Sequence, residues 1–347
     1  MSTAAFAAKA ANAPLGPFAI ERRELGPKDI RIEIEFCGVC HSDLHMVNND
    51  WGFSQYPLVP GHEIVGTIAE VGSEVSGFSV GDKAAVGCLV DSCRHCAQCE
   101  AGNEQYCNAF TMTYGSATND PGGVTYGGYS REIICDQEFV LSISGKLDPA
   151  GAAPLLCAGI TTWSPLKHWK VGPGQTVGIV GLGGLGHMGV KFAHALGAHV
   201  VMITTSPEKG EDAKALGADE VLISKDDDAM AMNAGRFDFI LNTIPVRHDL
   251  NPYVGLLKID GVMCIVGAVE QLPEVNSAPM VFGRRSIAGS LIGGLKETQE
   301  MLDFCAEHGI TSDIEIIQMD EINQAYERMQ KSDVKYRFVI DMSTLPG

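Results

Sequence analysis

The sequence predicts an α/β chain in two parts: a turn-rich β-domain, then a doubly wound parallel sheet. Three observations carry this. Ile30, Ile32, Ile34 and Phe36 fall two apart with charged residues between them, the period of a half-buried antiparallel strand. From Gln175 the pattern becomes strand, Gly-rich turn and helix, repeated, and that alternation specifies a parallel sheet covered by helices. The length of 347 residues, 45% of them hydrophobic, suffices for two cores.

In chain order, the Ala-rich stretch 1–13 reads as a loose lead-in, without an apolar core of signal-peptide length. Residues 18–36 alternate as strand. Residues 63–71 are β-branched and lie between Gly61 and Gly72, another strand. Val80-Gly81-Asp82-Lys83 is a turn before strand 84–90. A Cys-rich polar lobe follows at 93–107, a Gly- and Thr-rich loop at 111–128, and strand-like pattern again at 129–143. Residues 155–169 carry helical spacing, stopped by the breaker cluster 171–174. The second part shows strands at 176–180, 199–203, 221–223, 237–241 and 262–266. Its helices 187–196 and 208–216 close on Gly197 and Gly217. After about Ser286 the alternation weakens into helix 297–308, strand 314–319, helix 321–331 and strand 336–340. From pattern alone this tail either extends the sheet or returns to the first part.

The formal net charge of −18 repels phosphate backbones and argues against nucleic-acid binding. No stretch reaches the roughly 20 apolar residues of a membrane span. Eleven cysteines, an odd number with some at two-residue spacing, suit reduced thiols and metal ligation in a cytoplasmic protein rather than a disulfide scaffold.

Cys93, Cys96, Cys99 and Cys107 follow C-x2-C-x2-C-x7-C. Four thiolates can close a tetrahedron around a structural zinc and fold a segment too polar for its own core. An iron–sulfur cluster is the competing reading, but Asn108 stands where a proline would favour it.

The densest chemistry lies in Cys37-Gly-Val-Cys40-His41-Ser42-Asp43-Leu44-His45. Cys37 and Cys40 alone read as half a zinc knuckle or a redox pair, yet no second C-x2-C and no thioredoxin-like unit accompanies them. A catalytic zinc needs three protein ligands and an open position, and Cys40, His62 and Cys157 are the candidates in Gly-flanked settings. Two thiolates and an imidazole leave a formally neutral site able to polarise a carbonyl. Taken singly, His62 reads as a surface turn histidine and Cys157 as a buried thiol. Glu63 offers a fourth or supporting carboxylate, and Asp43 a carboxylate to orient His62.

Gly181-Leu182-Gly183-Gly184-Leu185-Gly186 is G-x-G-x-x-G between a strand and a helix, the context in which it binds a dinucleotide pyrophosphate. At the end of the second strand, where an NAD site places an acid, stand Thr204, Thr205, Ser206 and Lys209. Hydroxyls and a cation suit a 2′-phosphate, so NADP(H) is expected; Glu208 pulls the other way.

At residues 18–341 the chain resembles the zinc-dependent medium-chain dehydrogenases/reductases. It is similar to their cinnamyl-alcohol-dehydrogenase-like branch and to the bacterial NADP-dependent aldehyde reductases within it. The likeness rests on Cys-Gly-Val-Cys-His-Ser-Asp (37–43), Pro-Gly-His-Glu (60–63) and the four-cysteine lobe. Leu-Leu-Cys-Ala-Gly-Ile-Thr (155–161), Gly-Leu-Gly-Gly-Leu-Gly-His (181–187) and Tyr-Arg-Phe-Val (336–339) complete it. The resemblance implies a GroES-like catalytic domain, 1–152 and 287–347, with its structural zinc lobe at 91–108. A six-stranded Rossmann domain, 153–286, interrupts it, and the tail rejoins the first domain. It implies zinc ligands Cys40, His62 and Cys157, Glu63 as an occasional ligand, and no role for Cys37. Ser42 and His45 match a proton relay through the cofactor ribose. Ser42, Thr161, Thr243, Gly267, Ser290, Leu291 and Ile292 match positions lining the cofactor, and Trp51, Cys88, Met112 and Leu291 the substrate pocket. The implied reaction is reversible, zinc- and NADPH-dependent reduction of aromatic and aliphatic aldehydes to primary alcohols by a homodimer with two zinc ions per chain. The alternatives are an NAD-preferring alcohol or polyol dehydrogenase of the same fold, or a non-catalytic NADPH-binding protein.

Overall fold

Strand Asp29–Gly38 is the axis of the first sheet. Ile30, Ile32 and Ile34 are buried on one face while Glu33 is exposed on the other, so the alternating pattern buries one face as expected. The pairing register with Ile64–Val71 shifts between Ile34 and Phe36. Such an irregularity re-aims the following side chains: Phe36 is only half-buried and Cys37 is fully enclosed, whereas strict alternation puts Phe36 inside.

The computed structural model describes residues 2–267 and 270–346; Met1 and Gly347, the outer limits of the predicted first domain, lie outside them. The chain divides into two units, Met1–Cys157 with Gly293–Gly347, and Ala158–Ile292. The sequence reading puts these breaks slightly earlier, at 152/153 and 286/287.

In the first unit a mixed sheet runs in the order Ile314–Ile317, Arg337–Asp341, Asp29–Gly38, Ile64–Val71, Lys83–Val86, Leu141–Ser142, with Glu132–Asp136 also paired to Asp29–Gly38. The tail therefore returns: Val339 pairs with Gly38 and Ile340 with Cys37. Residues 1–13 are not simply a lead-in. Ser2–Ala7 forms a hairpin with Gly16–Glu21, and Ala5, Phe6, Ala7 and Ala8 are buried. Small alanines give a weak strand signal but pack where space is tight.

In the second unit six strands form one parallel sheet in the order Glu220–Ile223, His199–Thr204, Thr176–Val180, Phe237–Asn242, Leu257–Ile265, Ser286–Gly289. This is the predicted doubly wound sheet. Val177, Ile179, Val180, Val200, Val201 and Ile203 are all buried, as strands covered on both faces must be. The edge strand Ser286–Gly289 escaped the pattern because it is short and partly exposed. Helix Ala158–His168 starts three residues later than its spacing suggests; a 3-10 turn, Ala153–Leu156, carries Pro154 and precedes it. Among the described residues no helix is long and apolar enough to cross a membrane.

Candidate metal centre and cofactor turn

Three elements of the first unit converge on one point. Strand Asp29–Gly38 ends just before Cys40, which caps helix His41–Asn48. The turn before Ile64–Val71 carries His62 and Glu63, and Cys157 closes the 3-10 turn Ala153–Leu156. One ligand atom from each of Cys40, His62, Glu63 and Cys157 lies within 4.8 Å of all the others. The two sulfurs are 3.8 Å apart. His62, Glu63 and Cys157 are buried.

The electrostatics suit a cation. A hydrogen bond from Cys157 holds the Cys40 thiol well below its ordinary pKa, against burial, and His62 adds to it; thiolate is the ligating form. Burial pushes the Glu63 carboxyl up to about 7 against the pull of Arg337. Glu63 Oε1 accepts from Arg337 Nη2, whereas Oε2 is buried with no hydrogen-bond partner. A buried carboxylate oxygen left unpaired is costly, and a cation bound by Glu63 would offset that cost. Gly38 is required here, since a Cβ would lie 1.9 Å from that same Oε2. Two sulfurs, an imidazole nitrogen and a carboxylate oxygen are ligands that zinc accepts. Cys37 stands outside the group. Burial first, then Asp43 and Glu63, push its thiol well above the ordinary value, which keeps it neutral.

The lobe brings a second set together. The thiols of Cys93, Cys96, Cys99 and Cys107 also lie within 4.8 Å of one another, with Sγ separations of 3.6 Å for Cys96–Cys99 and 3.9 Å for Cys93–Cys99. The short helix Ala97–Glu100 and the 3-10 turn Glu104–Tyr106 bend the segment back on itself.

In the second unit the glycine turn has the shape that its spacing predicts. Gly181 has φ +91°, and a Cβ on Gly186 would lie 1.8 Å from the Gly181 carbonyl oxygen. A Cβ on Gly183 would meet nothing within 4 Å, so backbone there faces open space at the start of helix Gly186–Ala195. Gly184 and Leu185 complete the turn. Thr243 Oγ1 lies 2.8 Å from the Val180 carbonyl oxygen and 3.1 Å from that of Gly181. A Cβ on Gly267 would lie 2.5 Å from the Thr243 carbonyl. Gly181 and Gly267 thus both pack closely against Thr243. Lys209 Nζ donates to the Leu182 carbonyl at 3.3 Å, which brings a cation to the turn. Thr204 is buried and accepts from Ser206 N at 3.2 Å; Thr205 is exposed. An open backbone cradle, a helix N-terminus and an ammonium group fit a phosphorylated cofactor. Other elements place the remaining positions: Thr161 is buried in helix Ala158–His168, and Ser290, Leu291 and Ile292 follow the edge strand.

Comparison with known proteins matches these parts. Residues 26–145 match the model of the alcohol dehydrogenase GroES-like domain, and 184–307 that of the zinc-binding dehydrogenases. Aldehyde reductase YahK of Escherichia coli (strain K12) is 57% identical, over 99% of this chain and 99% of its own length. The chain belongs to the zinc-binding alcohol dehydrogenase family. It is an oxidoreductase of alcohols and aldehydes. Among solved structures, the cinnamyl alcohol dehydrogenase SbCAD4 of Sorghum bicolor is 43% identical with a TM-score of 0.96, covering 100% of this chain and 99% of its own. CAD of Helicobacter pylori, complexed with NADP(H), is 39% identical with a TM-score of 0.91 and 99% coverage of both chains.

Within this dehydrogenase the remaining predicted residues fall as follows. Ser42 Oγ is 3.6 Å from Cys40 Sγ. Asp43 is fully buried, and its Oδ1 lies 3.3 Å from His62 Nδ1. His45 follows one turn later on the same helix, and its Nδ1 is 2.8 Å from Asp50 Oδ2. Its ring is 5.3 Å from that of Trp51. Cys88 reaches the Leu156 carbonyl at 3.6 Å, beside Cys157. Met112 is half-buried opposite Leu89. Leu291 belongs to the second unit and is 49% exposed. Three contributors were missed by the sequence reading: Asp50, Arg337 and Tyr114, whose ring stacks on His62 at 5.7 Å. Asp50 lay within reach as an acid five residues past His45. Nothing in the sequence ties Arg337 or Tyr114 to the metal cluster.

Proposed function

We propose that this dehydrogenase reduces aromatic and aliphatic aldehydes to primary alcohols with NADPH, reversibly, at a zinc held by Cys40, His62 and Cys157. The convergence of Cys40, His62, Glu63 and Cys157 on one point, with a Glu63 carboxylate oxygen buried and unpartnered, carries the reading. When bound, zinc would polarise the carbonyl and NADPH would supply the hydride. The chain does the rest. Cys40 and Cys157 contribute charge that leaves the site formally neutral. Asp43 accepts from His62 Nδ1, which leaves Nε2 as the ligating nitrogen. Glu63 stands by as an alternative ligand, restrained by Arg337. Ser42 gives up a proton at Oγ to the product oxygen. His45, at the solvent end of the relay, holds the next proton at Nε2, oriented by Asp50 through Nδ1. The four cysteines of the lobe hold the second, structural zinc.

NADPH is favoured over NADH by Thr204, Thr205, Ser206 and Lys209, where an acid would repel a 2′-phosphate; Glu208 is exposed. The helicobacterial CAD complexed with NADP(H) supports the same reading. Trp51, Cys88, Met112 and Leu291 are proposed to face the substrate, and Thr161 and residues 290–292 the cofactor. Eleven cysteines with no disulfide among the described residues suit a cytoplasmic enzyme. A homodimer is the proposed assembly, and a single 37.0 kDa species in sedimentation would refute it.

The deciding experiment measures kcat/KM for an aldehyde panel with NADPH and with NADH on zinc-replete enzyme. An advantage for NADH would favour the alternative, an NAD-preferring alcohol or polyol dehydrogenase. Aldehyde reduction that survives complete removal of zinc would refute the metal's role.

A further inference from the structure

Asp43 lies under the metal cluster with no exposed surface and no lysine or arginine within salt-bridge distance among the described residues. Such a carboxylate depends on hydrogen-bond donors for its place and direction. Cys40 N donates to Oδ2 at 2.9 Å and Gly61 N to Oδ1 at 3.1 Å. His62 Nδ1 is 3.3 Å from Oδ1, and the Tyr129 hydroxyl donates to Oδ2 at 3.4 Å. Tyr129 is itself clamped to the turn that carries His62. Its N–H donates to the Pro60 carbonyl at 3.0 Å, and Gly128 N to the Gly61 carbonyl at 2.8 Å. A Cβ on Gly61 would strike the Tyr129 ring. On the imidazole itself the Tyr114 ring stacks at 5.7 Å and 24°. Both tyrosines are buried.

We propose that Tyr129 and Tyr114 are positioning residues for the metal-binding imidazole. The Tyr129 hydroxyl fixes the direction of the Asp43 carboxylate, which holds His62 Nδ1–H. Tyr114 fixes the tilt of the ring. Together they aim Nε2 at the cation. The inference rests on the reading of His62 as a zinc ligand. Groups that orient a ligating histidine in this way change metal affinity by about 10- to 100-fold when removed.

The test uses the full-length enzyme. Tyr129→Phe removes one hydroxyl and keeps the ring. Zinc affinity is read by competition with a chelator, and ligand geometry by the visible absorption of the cobalt(II)-substituted enzyme. The expected result is zinc held at least ~10-fold more weakly at the Cys40 site and a shifted cobalt band, with the lobe zinc retained. Tyr253→Phe is the matched control, because that buried hydroxyl belongs to the core of the second unit; it should leave both readouts unchanged. A lower Tm with unaltered affinity and cobalt spectrum would assign the Tyr129 hydroxyl to stability alone and overturn the proposal. Should Tyr129→Phe not fold, Tyr114→Leu removes the stacked ring together with the hydroxyl beside Asp43, and an unchanged cobalt band there overturns the role of Tyr114. A His62→Ala enzyme that still binds two zinc ions would instead refute the ligand set.

Discussion

The two cysteine clusters of the first unit answer the same chemical demand in opposite ways. In the lobe, four thiols come from a 15-residue segment, and local backbone shapes them. The N–H groups of Cys93 and Ala109 hold the Cys107 thiol down to about 6, and a backbone N–H at Cys99 lowers Cys96. At the other cluster, Cys40 and Cys157 are 117 residues apart, and side chains from separate elements do that work: Cys157 and His62 on Cys40, Asp43 on His62, Arg337 on Glu63. The lobe offers four equivalent sulfurs and no spare donor, a closed set suited to holding structure. The other cluster keeps a carboxylate oxygen without a partner, and so a coordination sphere able to change. A site made from its own loop can be stable in isolation, whereas a site made from the fold inherits its geometry from distant packing.

The largest break in this contrast is Cys40→Ser. It should reduce zinc from two ions per chain to one and lower kcat/KM by about a thousandfold or more, roughly 4 kcal/mol of transition-state stabilisation. The lobe ion should stay in place, and the Tm should fall by less than when the lobe zinc is lost. Metal analysis beside steady-state kinetics checks this, and a variant with one zinc and full activity would remove the cluster from the reaction.

Arg337→Leu should come next. It leaves Glu63 buried and unpaired, and removes the restraint on that carboxylate. Activity or zinc affinity should fall by about 10- to 100-fold. If Glu63 is the cause, Glu63→Gln in the same background should recover stability but not activity. Recovery of neither would mean that Arg337 acts chiefly through its bond to the Val39 carbonyl.

Cys99→Ser in the lobe should reverse the pattern. One zinc is again lost, but the effect falls on stability, because the metal there folds its own segment. The Tm should drop, while kcat of the folded fraction stays within about twofold. A large loss of kcat at unchanged Tm would make the lobe more than structural.

The same contrast explains what could be read in advance. All four lobe donors are visible at one glance at residues 93–107, so spacing alone identifies them. The glycine turn is equally local and lies between a strand and a helix as expected. His62 and Cys157 are candidates by residue type and Gly-flanked setting, but taken singly each reads as ordinary, and it is the family resemblance that assigns them, since nothing near either residue points to Cys40. Arg337, Tyr114 and Tyr129 could not be found from pattern at all. They reach the cluster through the return of the tail beside Asp29–Gly38 and through the loop that clasps 60–61. The hairpin strand Ser2–Ala7 and the edge strand Ser286–Gly289 were missed for another reason: short, small-residue segments carry little periodicity, and tertiary pairing decides them.

The smallest expected effect is the sharpest test of locality. Cys37 and Cys40 share the two-residue spacing that defines pairs in the lobe, yet the structure separates them. Cys37 lies at the end of a strand, fully buried, with its sulfur 3.6 Å from the Gly38 carbonyl. Cys40 comes after the strand has ended and joins the cluster. Burial keeps the Cys37 thiol neutral, and a neutral buried thiol behaves as a small apolar side chain. Cys37→Ser should therefore keep both zinc ions and full kcat/KM, with a stability loss of about 1 kcal/mol for a hydroxyl in an apolar place. Loss of the Cys40-site zinc in Cys37→Ser would mean that spacing, not the fold, had chosen the ligands.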